Sequence, residues 1–275
     1  MSAIDATYST AVVMPVNRLV LAHRLVQIGL LLTLVWKWSF FQLASRIYAD
    51  FTLVDPFFPD FFRSVITLRI AYLAAVGSIA LNLVTGSRNW QQTCTWITFA
   101  SLTILCLHQA SYNDMTFVTA WWTSLWSVWY VHQLSRTDNE DHLLSRAAFL
   151  SRLIISLILL GGAVGKWTGE YWSGEVLHDI YFRDRDYWAF NFLRANFEPE
   201  TLRVMAKWYS RQVVMIETFA GLGLWALPPK IAAAIAVVLL SSIALSSNFL
   251  LFSVLSTLIG LASVGFLVRR PKTNR

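Results

Sequence analysis

The chain has 275 residues, of which 56% are hydrophobic and 14% charged, and it carries 13 Trp, 18 Phe and 9 Tyr. A soluble domain holds about 25% charged residues and has no means of hiding this much apolar surface, so an ordinary soluble enzyme is nearly excluded, as is a disordered chain. The composition predicts an all-α, polytopic membrane helix bundle. The net charge of +6 is explained by membrane topology, so no nucleic-acid partner is expected.

In chain order, the N-terminal stretch Met1–Asn17 has no basic residue ahead of an apolar run and does not read as a cleavable signal. A span needs about 20 mostly apolar residues. The candidates are Val26–Ala44 with Lys37 inside, Val65–Val84 with Arg69 near its start, Thr93–Gln109, Thr116–Leu134 and Leu150–Lys166. Gln212–Leu227 follows, with Glu217 inside and Pro228-Pro229 as its stop. Ile231–Val268 is too long for one span, and Ser246-Ser247-Asn248 divides it, giving about eight transmembrane helices in a single domain.

Two connections stand out. Arg46–Ser64 is aromatic and acidic and suits the membrane interface. The loop over 167–211 is long enough to fold or to function by itself, and it alternates charged residues with aromatics such as Tyr171, Trp172, Tyr181 and Phe190. One or two short helices resting on one end of the bundle are expected there. With eight spans, Arg18, Arg24, Arg88, Arg136, Arg146, Lys230 and the tail from Arg269 fall on one side, against Arg46 and Arg63 on the other. That bias predicts a multi-pass protein of the cell membrane with both termini in the cytoplasm.

Ionisable groups inside spans are costly and point to function by default. Here they are Lys37, Arg69, Lys166 and Glu217. Each also has a plain structural reading, as an ion pair or as a snorkelling side chain near a span end. Lys166 closes the run Gly161-Gly162-Ala163-Val164-Gly165-Lys166, in which Gly161 and Gly165 make a G-x-x-x-G face suited to tight helix packing. An ammonium kept dry there would lose its proton more easily and serve as a general base. Glu217 must be paired or protonated, with Arg69, Lys37 and Lys166 as possible partners. Gly221-Leu222-Gly223-Leu224-Trp225-Ala226 matches a dinucleotide template but sits in an apolar span with no strand before it. The five His show no metal-ligand spacing, and no metal site is expected.

Two tracts carry a family resemblance. His23-Arg24-Leu25-Val26-Gln27-Ile28-Gly29 resembles the start of the membrane domain of vitamin K-dependent gamma-carboxylase, shared across the horizontally transferred transmembrane (HTTM) superfamily. Arg152–Tyr181 is similar to that family's tract of apolar helix, small-residue pair, Lys, Trp and Gly, supplied here by Gly161-Gly162, Lys166, Trp172 and Gly174. The resemblance implies a short bacterial-type member with carboxylase-like chemistry, in which Lys166 is the base that deprotonates a vitamin K-like hydroquinone. Asn113-Asp114 stands where the carboxylase has an Asn-His pair, and the sequence stops shortly after span eight, without the carboxylase's large soluble domain. Carboxylation of glutamates in the same way is therefore not expected.

Two main readings follow. The first is an enzyme that binds a quinone or another lipid cofactor between its spans, with Glu217 or Asp114 tuning Lys166 and with Arg69 and Trp172 as further cofactor-site candidates. The second is a non-catalytic membrane partner or maturation factor that docks a peptide or protein through 167–211. A transporter is a third, without an inverted repeat to support it.

Overall fold

The computed structural model describes residues 17–50, 64–107, 115–137, 139–247, 249 and 251–269. These residues are helical with no strand among them. The first five helices are α1 Arg18–Asp50, α2 Val65–Val84, α3 Arg88–Leu107, α4 Met115–Leu134 and α5 Glu140–Lys166. Short pieces follow: α6 Gly169–Ser173, α7 Glu175–Leu177, a π-helical turn His178–Arg183 and α8 Trp188–Asn196. The chain then forms α9 Pro199–Ala226, α10 Pro229–Ser246, α11 Phe252–Ser263 and a final 3₁₀ turn Val264–Leu267.

The eight apolar segments each fall on one helix, in order. Four stretches are long and apolar enough to cross a membrane: Arg18–Arg46, Val65–Val84, Glu140–Lys166 and Pro229–Ser246. Three of the other four fall short for visible reasons. Helix α3 begins with Arg88, Asn89, Gln91 and Gln92, and α11 has only 12 residues. Helix α9 carries Arg203, Lys207, Arg211 and Glu217. The expected break after Ser246 is present, and Phe249 sits in the left-handed region with φ 58°.

Residues 51–63, which hold most of the aromatic loop Arg46–Ser64, lie outside the described residues, as do 270–275 of the basic tail. Three helices begin well before the apolar segments they carry: α1 at Arg18 against Val26, α5 at Glu140 against Leu150, and α9 at Pro199, thirteen residues before Gln212. A proline at the first helical position is pre-set for the turn. Leu202, Ala206 and Ser210 then give α9 a buried stripe at four-residue spacing, while Arg203 and Lys207 point away from it.

Helix α1 runs through the middle and packs mainly on α11 and α2. Its crossing with α11 is built on two glycines. A Cβ on Gly29 would lie 2.7 Å from the Ser256 carbonyl, and one on Gly260 would lie 2.9 Å from that of Leu25. Backbones this close exclude any larger side chain. Beside them, Thr33 Oγ1 donates to the Ser253 carbonyl at 2.7 Å and meets Ser256 Oγ at 2.8 Å, and Thr116 Oγ1 meets Ser253 Oγ at 2.8 Å. The buried hydroxyls at this crossing are thus paired, as an apolar medium requires.

Helices α5 and α9 form the other principal seam. Asn139 caps the start of α5, accepting from His142 N at 3.0 Å, with Glu140 and Asp141 in the first turn and Lys166 in the last, the arrangement the helix dipole favours. Arg152 Nη1 donates to the Leu227 carbonyl at 2.7 Å, closing the C-terminal end of α9. Gly221 lies against Leu160, where an added Cβ would come within 2.7 Å of Cγ, and the Trp225 indole donates to Ser156 Oγ at 2.6 Å. Residues 169–196 form a cap on the first half of α9, with Leu177, Phe182, Phe190, Leu202 and Ala206 in its small core.

Candidate functional site

Lys166 is the last residue of α5, and Glu217 sits past the middle of α9, facing α5. The Lys166 Nζ donates to Glu217 Oε1 at 2.5 Å and to Oε2 at 2.6 Å. The carboxylate is engaged through both oxygens, a short charge-assisted contact. The Glu217 side chain is 10% exposed and that of Lys166 24%.

The glycines near Lys166 act differently from the expected G-x-x-x-G face. Neither Gly161 nor Gly165 has any atom within 4 Å of an added Cβ, so among the described residues no helix packs on that face. The functional glycine is Gly162, where a Cβ would sit 3.5 Å from Glu217 Oε2 and 3.8 Å from Lys166 Nζ. Its missing side chain leaves the groove in which the ion pair lies. The turn geometry explains the difference: Gly162 precedes Lys166 by four residues and shares its face, whereas Gly161 and Gly165 are rotated away from α9.

The pair forms one wall of a cavity of about 460 Å³. Val213, Ile216, Leu239 and Ile243 supply aliphatic walls from α9 and α10, and Tyr171, Tyr181 and Tyr209 bring three phenols. Burial pushes the Tyr171 hydroxyl above its ordinary range, and the nearby Glu217 charge pushes it the same way. Burial raises Tyr181 too, with Tyr209 adding to it. Both phenols therefore stay protonated and available as donors at neutral pH.

The roof of the cavity is held by specific contacts. Gly174 adopts φ 89°, and a Cβ there would lie 2.4 Å from Lys207 Cα, so only glycine seats the cap this close to α9. Arg211 Nε donates to the Trp172 carbonyl at 3.3 Å, and Ser210 Oγ donates to that of Tyr171. Trp167 and Trp172 stack at 5.0 Å, and the Arg211 guanidinium lies over the Trp172 and Trp208 rings at 5.3 and 5.6 Å. Arg194 gathers the carbonyls of Phe182 at 3.2 Å and Arg185 at 2.7 Å.

Of the residues singled out in the sequence, Lys166 and Glu217 come together. Trp172 lies beside the cavity, in the stack that supports its roof, and does not line it. Arg69 is exposed on α2 and lines no part of the cavity. Lys37 stands over the Phe40 ring at 3.9 Å, on α1. Asp114 lies outside the described residues. Tyr209 and Val213 were missed, although they precede Glu217 at four-residue steps and so share its helix face. That signal is legible once α9 is known to start at Pro199.

An apolar chamber of this size, with an ionic pair and phenol donors at one wall, matches small-molecule sites in general, which enclose about 300–1,000 Å³. Among the described residues, no group of three His, Cys, Asp or Glu side chains is placed to hold a metal ion. No protein-family model, no curated protein and no solved structure matches this chain.

Proposed function

We propose that the chain is a multi-pass membrane protein that crosses the bilayer eight times, with both termini in the cytoplasm. In this reading it binds a lipophilic ring compound of the quinol class and removes a proton from its hydroxyl. The observation that carries the proposal is the Lys166–Glu217 pair on the wall of an apolar, phenol-lined cavity. The likeness to the carboxylase and HTTM family supports the same ligand class and a place for Lys166 in the deprotonating pair, with Glu217 here taking the proton. When bound, a hydroquinone would supply the reducing equivalents for carboxylase-like chemistry.

The pair works as one unit, because Lys166 is not a free amine. Its ammonium is held by a carboxylate in contact through both oxygens. A ligand hydroxyl that points at the pair gives up its proton, Glu217 ends neutral, and Lys166 keeps its charge. The resulting ring oxyanion then faces the Lys166 ammonium, which stabilises it in a low-dielectric chamber. Tyr171 and Tyr209, which line the same cavity, would donate to a second oxygen on the ring.

The test is a hydroquinone titration of the purified protein in lipid nanodiscs, read by Trp quenching and by the absorbance of the quinol anion. Lys166→Met and Glu217→Gln should each abolish the anion signal, and Lys166→Arg should keep the fold while weakening the signal at least tenfold. Retention of the signal in all three variants, with only thermal stability lost, would reduce the pair to a staple between α5 and α9.

One observation favours the second reading, of a partner or maturation factor that docks a peptide. Trp188 and Phe192 stand one turn apart on α8 and are exposed. Pull-down of a peptide that depends on these two residues and is indifferent to Lys166 would select that reading.

A further inference from the structure

The cavity beside Lys166 has an open side, and its position in the bundle says what that side meets. Helices α9 and α10 are joined at Pro228-Pro229 and diverge from that turn, and they pack on each other far less than α9 packs on α5. The cavity fills the space between their separated ends. Its exposed lining residues include Ile216 at 48% and, from the cap, Ile180 at 41%, with the small hydroxyl of Ser242 facing them from α10.

Depth follows from the aromatic level around it. Trp172, Trp208 and Arg211 form a cluster of ring faces and guanidinium of the kind found at membrane–water interfaces. Arg211 and Glu217 are six residues apart on one helix, which is about 9 Å of rise. The pair therefore lies below the interfacial level, while the far end of α9 at Ala226 is about 22 Å from Arg211, still within the roughly 30 Å of hydrocarbon. Beyond Arg211 on this face, α9 exposes Met215, Ile216, Phe219 and Leu222, a lipid-facing row without a charge.

We infer that the cavity opens sideways, between α9 and α10, into the hydrocarbon of the leaflet on the cap side. Its ligand then arrives dissolved in the bilayer, with its polar ring at Lys166–Glu217 and an apolar chain lying out through the cleft past Ile216. On the cap side, the Arg211 guanidinium lies over the Trp172 ring and Gly174 packs directly on Lys207. This inference rests on the reading of the cavity as a ligand site and adds the route and the ligand's shape.

The experiment measures depth without any ligand. In a background with Cys94 and Cys106 replaced by Ala, nitroxide labels are placed singly by Ile216→Cys, Ser242→Cys and Asp184→Cys, in vesicles of phosphatidylcholine. Collisions with dissolved oxygen and with a water-soluble nickel chelate are compared. The cleft labels at 216 and 242 should collide with oxygen several-fold more often than with nickel, and the label at 184, which replaces a side chain that is 82% exposed, should show the reverse. Nickel accessibility at 216 and 242 equal to that at 184 would mean a water-filled mouth and overturn the inference. Protection from both reagents would mean that protein covers the cleft, and would overturn it too. Because no quinol is present, failure here is separate from failure of the hydroquinone titration.

Discussion

The α1–α11 crossing and the α5–α9 seam solve the same packing problem with different chemistry. At the first, Gly29 and Gly260 bring two backbones into contact, and the polar atoms nearby are neutral hydroxyls whose bonds close on backbone and on one another. At the second, a glycine contact at Gly221 lies between two cations, Arg152 on the Leu227 carbonyl and Lys166 on Glu217. A neutral hydroxyl is inexpensive to bury once bonded, whereas a charge pair carries a desolvation penalty that its Coulomb attraction often fails to repay. Packing alone is served by the first arrangement. The ion pair beside a cavity at the second is what the proposed function rests on.

The largest effect that would break this contrast comes from the pair itself. Lys166→Met leaves Glu217 without its partner and should lower the rate of hydroquinone deprotonation by about 10²- to 10⁴-fold, the range general-base groups contribute. Stopped-flow absorbance on the nanodisc protein measures it. A matching substitution at the first seam should act only on the fold. Gly260→Val drives a side chain into the Leu25 carbonyl and should cost about 1–3 kcal/mol, seen as a lower Tm by intrinsic Trp fluorescence, with hydroquinone affinity unchanged in the protein that remains folded.

A smaller effect sharpens the picture of the cavity. Gly174→Ala forces a Cβ against Lys207 at positive φ and should cost about 1–3 kcal/mol of local strain. The cap relieves it by lifting off α9, so hydroquinone Kd should rise several-fold while the far end of α5, followed by hydrogen exchange near Asn139, stays as protected as before. The smallest effect concerns the glycines that looked most telling in the sequence. Gly161→Ala and Gly165→Ala meet open space and should each raise helix stability by about 0.5–1 kcal/mol, with deprotonation rates unaltered. A clear drop in Tm in either would restore the G-x-x-x-G face as a packing surface.

Much of this molecule was readable before any coordinates. The segment Val65–Val84 is one helix with the same bounds, and the Ser246-Ser247 break divides the last apolar tract where expected. Lys166 and Glu217 stood out because charge inside an apolar run is rare for a physical reason. Periodicity and hydropathy are local properties, and a helix written in consecutive residues declares itself locally. The start of α9 was hidden for a related reason, since a hydropathy window averages over a turn. Arg203 and Lys207 outweighed Leu202 and Ala206, although the two sets face opposite ways.

Tertiary structure alone decided the rest. Glu217 had three possible cations, and only the packing of α9 on α5 selected Lys166. Which glycine serves the site, and that Tyr171, Tyr209 and Leu239 surround one space, depends on how helices distant in sequence are rotated against each other. The chain order holds no record of that rotation. It is set by the fit of many side chains at once, and so the helices belonged to the sequence while the cavity belonged to their assembly.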